Sequence, residues 1–172
     1  VEKRNVGRKN EKKNDDKKRT QVSSPNFLAE NIVDKNKYYL RSVYLDALRS
    51  IDFLRLTKNI DCEGVGIMGK GLGAACALFA AAYSNRIKVA ILQAPALSYL
   101  PYYLNHAKSE IADEIIGAIS MQGTKKSEVK ESLKFFDILN FSDMIDKPVV
   151  FSTGLKDTVA PPTCGFSLFN HI

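Results

Sequence analysis

Cysteine is scarce and long apolar runs are missing. Cys62, Cys76 and Cys164 are odd in number and show no C-x-x-C spacing, which argues against a disulfide framework or a structural zinc site. Cys76 falls inside an alanine-rich segment, where a small buried thiol is the ordinary explanation. Every apolar stretch is broken by glycine or charge well short of the ~18–20 residues a membrane span needs. The first twenty residues are charged rather than apolar and do not read as a secretory signal; the expected compartment is the cytoplasm. Histidine is also sparse, with His106 and His171 only.

What is present is charge at one end and alternating structure at the other. Residues 1–19 hold nine Lys or Arg against four Asp or Glu, so most of the net charge of +6 over 172 residues sits there. This arm has no interleaved aromatics to stack bases and no apolar face for a membrane. Residues 1–25 therefore read as a basic, disordered arm rather than a nucleic-acid or membrane binder, and residues 1–22 are expected to lack fixed structure. From Tyr38 onward the pattern is that of a folded domain over 26–172. "YYLRSVYLDALRSIDFLRL" places Val43, Ala47, Leu48, Ile51 and Leu54 at helical spacing, predicting an amphipathic helix over 38–57. "VGIM", "IKVAILQAP" and "KPVVFSTGL" read as buried strands. They predict adjacent parallel strands at 64–69, 87–93 and 148–154. "YLNHAKSEIADEIIGAIS" and "KKSEVKESLKFF" read as helices within a helical insert at about 98–140, and "TCGFSLFNHI" opens another helix. The fold class is α/β, a parallel sheet flanked by helices; three strands make it thin, and it reads as incomplete at both ends.

The chemistry turns on "GVGIMGKGLGAACALFAAA", Gly64 to Ala82. Gly64, Gly69 and Lys70 match the P-loop spacing, but Gly71 stands where Ser or Thr should bind magnesium. Gly69, Gly71 and Ala74 satisfy G-x-G-x-x-A of a dinucleotide fold, yet the next strand ends at Gln93 and not at the acid that would hold a ribose. Gly69-Lys70-Gly71-Leu72-Gly73 fits a nucleophile elbow, G-x-S-x-G, in every respect but the serine.

Several segments, taken in order, resemble one family. The chain has "YYLRSVYLDALRSIDFL", "GKGLGAACALFAAAY", "QAPAL", "FFDILNFS" and "STGLKDTVAPPTCGFSLFNH". They are similar to segments of the acetyl xylan esterase and cephalosporin C deacetylase family, carbohydrate esterase family 7, within the α/β-hydrolase superfamily. The resemblance covers residues 32–172. It implies carbohydrate deacetylation without a cofactor or metal, acting on a small acetylated substrate, and it admits a homo-oligomer.

Carried over, the triad acid is Asp157 and the oxyanion N–H comes from Leu72, while the nucleophile position is Gly71, without a hydroxyl. The alternative for Asp157, with the resemblance set aside, is a turn aspartate that caps its loop. His171 matches a helix histidine of the family and not the catalytic one, and the family's upstream oxyanion tyrosine falls where this sequence has its basic arm. A serine esterase needs Oγ and an imidazole together. Cys76 points into packing, and Lys70 is a poor nucleophile because lysine in water is protonated at neutral pH. Two readings remain open: a catalytically degenerate esterase scaffold, or a fragment or variant of an active acetyl esterase. A nucleotide-binding domain built on the glycine turn is a third.

Overall fold

A computed structural model describes residues 26–58 and 64–172. The expectation for residues 1–22, the arm and Cys62 lie outside the described residues. After a short 3-10 turn at Phe27–Ala29 come α1 (Tyr39–Leu56), β1 (Val65–Lys70), α2 (Leu72–Tyr83) and β2 (Ile87–Gln93). α3 (Leu100–His106), α4 (Glu110–Met121) and α5 (Lys126–Lys134) then lead through a 3-10 segment at Ile138–Met144 to β3 (Val149–Ser152) and α6 (Pro162–Phe169). The three strands form one parallel sheet in the order β1-β2-β3, as the three apolar runs predict.

Helix α1 forms where the amphipathic spacing puts it, and two tyrosines join its buried side, Tyr44 within it and Tyr38 at its N-cap. Tyr38 and Tyr44 are buried, and each phenol is satisfied. Tyr38 Oη donates to Leu28 O at 2.9 Å and Tyr44 Oη to Phe136 O at 3.0 Å. Burial pushes both phenols far above their ordinary pKa, so they stay protonated donors. Helix α2 presses Ala74, Ala77, Leu78 and Ala81 into the core. Its small side chains let it lie hard against β1 and β2. Burying a side chain such as Leu78 contributes about 1.5–3 kcal/mol. The end of α2 is capped from afar: Lys147 Nζ donates to Ala81 O at 2.5 Å and Ser84 O at 3.0 Å, placing a cation on the negative end of the helix.

Two expectations need correction. "VGIM" does not make a buried strand, because alternate residues of β1 face outward and Met68 is 62% exposed. In register with it across the sheet stand Ile91 and Val150, the latter 56% exposed. Helices cover the opposite face, which carries Ala90 and Leu92. Apolar composition does not reveal which face of a strand is covered.

The helix expected over "YLNHAKSEIADEIIGAIS" is two helices. Ala107 is extended, Lys108 N is drawn off to Thr158 O at 2.7 Å, and Ser109 Oγ accepts from Ala112 N at 3.1 Å, N-capping α4. Among the described residues no helix is long and apolar enough to cross a membrane.

Candidate active site

The carboxyl ends of the three strands are clipped together by backbone bonds. Gly71 N donates to Gln93 O at 3.0 Å, Ala94 N to Ser152 O at 2.7 Å, and Ala96 N to Gly71 O at 3.1 Å. These bonds bring the glycine turn, the loop after β2 and the start of the loop after β3 to one edge, the usual place for a site in a parallel α/β sheet.

Between β1 and α2 the chain reverses within one residue. Gly71 has φ 57° and ψ −121° and serves as the N-cap of α2, a conformation that residues with a Cβ reach only under strain. The tightness of the reversal is set two residues earlier. A Cβ on Gly69 would run into the backbone of Gly73 and lie 2.6 Å from Ala74 N. A Cβ on Gly71 would meet nothing within 4 Å, so the tip of the turn points into open space. Leu72 opens α2, and its N–H has no carbonyl within the helix to bond. The P-loop reading fails on this geometry. Val65 to Met68 lie in β1, paired in the parallel ladder with β2, and so cannot wrap a phosphate.

Asp157 lies past β3, where Val159 N and Ala160 N donate to its Oδ1 at 2.8 and 3.0 Å. One oxygen thus holds the loop, and among the described residues no hydrogen bond occupies the other. The histidines do not supply a partner. His106 is exposed on α3, its Nδ1 2.9 Å from Tyr102 O, and its ring stacks on Tyr102 at 3.8 Å. His171 follows α6, its Nδ1 2.7 Å from Ser167 O. Cys76 packs against the core from α2 and burial pushes its thiol up. Cys164 is buried in α6 and its thiol is pushed up to about 11 by burial and by Asp137. Neither sulfur is an activated nucleophile. Lys70 ends β1 with its side chain exposed.

The loop after β2 is a feature that sequence reasoning passed over. Ala94, Leu97 and Tyr99 have φ of 43°, 61° and 52°, three left-handed residues without a glycine among them. The surroundings impose this. Asp137, buried, accepts from Tyr99 N at 2.9 Å, Leu100 N at 2.7 Å and Leu139 N at 3.0 Å. Ser98 Oγ donates to Cys164 O at 3.1 Å, and Ile138 N to Leu97 O at 3.0 Å. Burial outweighs the three N–H donors and raises the Asp137 carboxyl above the ordinary aspartate value. The sequence signals only the local part of this network, since Asp137 directly precedes the 3-10 segment that it caps through Leu139 N.

Comparison with known proteins gives a consistent picture. The acetyl xylan esterase (AXE1) family model matches residues 3–172, and so takes in the basic stretch as well. The acetyl esterase Axe7A of Xylanibacter ruminicola is 27% identical over 146 residues, covering 85% of this chain and 32% of that protein. Among solved structures, the acetyl xylan esterase from Paenibacillus sp. R4 superposes with a TM-score of 0.80 at 26% identity, over 87% of this chain and 48% of that one. Acetyl xylan esterase 1 from Thermoanaerobacterium sp. JW/SL YS485 gives 0.74 at 24% identity, over 88% of this chain and 49% of that one, a likeness of fold. The chain spans about a third of the curated relative and about half of the solved ones.

Proposed function

The chain belongs to the acetyl xylan esterase family, and from that premise we propose that it is an acetyl-esterase scaffold of the α/β-hydrolase type whose nucleophile position is vacant. The observation that carries this reading is Gly71. It occupies the positive-φ tip between β1 and α2, where an elbow presents its serine, and it brings no hydroxyl. Loss of the nucleophile alone lowers turnover by roughly a millionfold in a serine hydrolase. The other parts assigned by resemblance keep forms suited to their roles. Leu72 offers an N–H outside the helix ladder for an oxyanion. Asp157 keeps one carboxylate oxygen for an imidazole while the other fixes its loop. The substrate class suggested by the relatives is an acetylated carbohydrate, and assembly into a homo-oligomer is part of the same proposal.

The intact turn and the tethered Asp157 also suit the second reading, a fragment or variant of an active acetyl esterase. A fluorophosphonate probe, which labels an activated serine, separates the scaffold from an active variant. The scaffold reading expects no adduct on the native chain. A stoichiometric adduct on any serine, lost in Asp157→Asn, would establish the active variant instead.

A further inference from the structure

At the far end of α2 from the glycine turn, Tyr83 and its neighbours line a hollow of about 310 Å³ between α1, α2 and the segment after α5. Its size is at the lower end of small-molecule sites, roughly 300–1,000 Å³. The floor is aromatic. Tyr44 and Phe79 stack with centroids 5.0 Å apart, and Phe141 meets Phe79 edge-on at 5.2 Å. Tyr83 leans over them, 4.7 Å from Phe79, and is half exposed. Since the Tyr44 phenol donates to Phe136 O, it brings no free polar group to this floor.

The rim carries one sign of charge. Lys35 and Arg41 border the hollow, and among the described residues no carboxylate lines it. Lys35 Nζ sits 3.8 Å over the Phe135 ring, and among the described residues neither cation has a carboxylate partner. An apolar ring can lie edge-on or offset-stacked against the solvent side of the Phe79, Tyr83 and Phe141 cluster. A carboxylate on a short stem would then reach the guanidinium fork of Arg41, a geometry suited to two parallel N–H···O bonds.

We propose that this hollow is a binding site for a small aromatic carboxylate, its ring against Phe79, Tyr83 and Phe141 and its carboxylate on Arg41, with Lys35 adding charge. The site does not use Gly71, Leu72 or Asp157, and stands or falls apart from the esterase reading.

The probe is 3-phenylpropanoate, titrated into the native chain at low salt by calorimetry, with amide chemical shifts read in parallel. Saturable one-to-one binding is expected, with shifts at Tyr44, Phe79 and Tyr83. Arg41→Ala, a change at an exposed position, weakens it at least tenfold without moving the thermal midpoint. Tyr83→Ala weakens it too, and 3-phenylpropanol, the same ring without the charge, binds at least tenfold more weakly. Equal binding of the alcohol, unchanged affinity in Arg41→Ala, or no saturable binding would each overturn the proposal. So would a doubling of mass that abolishes binding, since a second copy would then fill the hollow.

Discussion

Two turns at the same edge of the sheet solve one problem in opposite ways. After β1 the chain reaches positive φ with a glycine, Gly71, which needs no help. After β2 it reaches positive φ three times, at Ala94, Leu97 and Tyr99, and must be held there by Asp137, Ser98 and the backbone of Ile138. The first turn is relaxed because its residue is permissive. The second is strained and over-determined. Yet in an elbow it is the first that should carry strain, since a serine there would have a Cβ in the same conformation. With Gly71 in place, the positive-φ residues at this edge that carry a Cβ all lie in the loop after β2.

The largest effect is expected where the strained loop is held. Asp137→Ala leaves three N–H groups, one buried and two part-buried, without an acceptor and should cost roughly 4 kcal/mol, at about 1–3 kcal/mol for each unsatisfied donor with incomplete additivity. Chemical denaturation reads this directly. A cost below about 1 kcal/mol would show that the loop holds its shape without the carboxylate. Gly69→Ala comes next. Its Cβ would meet backbone at Gly73 and Ala74, which cannot rotate away, so α2 must shift off β1 at a cost of roughly 3 kcal/mol. A neutral result would mean that the glycine turn is looser than the geometry says.

Smaller effects separate the two turns themselves. Gly71→Ser has room for its side chain but not a relaxed backbone, and should destabilise by about 1–2 kcal/mol. Stabilisation would show that the turn had left the elbow conformation. Ala94→Gly runs the comparison backwards. Relief of its left-handed strain outweighs the added freedom of the unfolded chain, so stability should rise by about 0.5 kcal/mol. A loss would show that Ala94 is not strained.

The same contrast explains what was legible in the sequence. Glycine announces its own conformation, so the strand–turn–helix at Gly64 to Ala82 and the three parallel strands could be read directly. Gly71, Leu72 and Asp157 were assigned through segments resembling a known family. The loop after β2 was not legible, because the group that imposes positive φ on Tyr99 lies 38 residues away. Tyr44 escaped the helix stripe for a related reason. A tyrosine becomes a core residue only when a distant carbonyl, here that of Phe136, takes its hydroxyl. The outward row of Met68, Ile91 and Val150, exposed at Met68 and Val150, was missed because apolar runs identify strands but not the covering of each face.

The claim that the nucleophile position is vacant is tested most directly by turnover of 4-nitrophenyl acetate at neutral pH, comparing the native chain with Gly71→Ser, Asp157→Asn and a heat-denatured control. The native chain should match the denatured control. Gly71→Ser should stay close to it, because no imidazole is bonded to Asp157 among the described residues and triad members act as a unit. Clear turnover by the native chain, abolished in Asp157→Asn, would contradict the account and require a nucleophile other than residue 71.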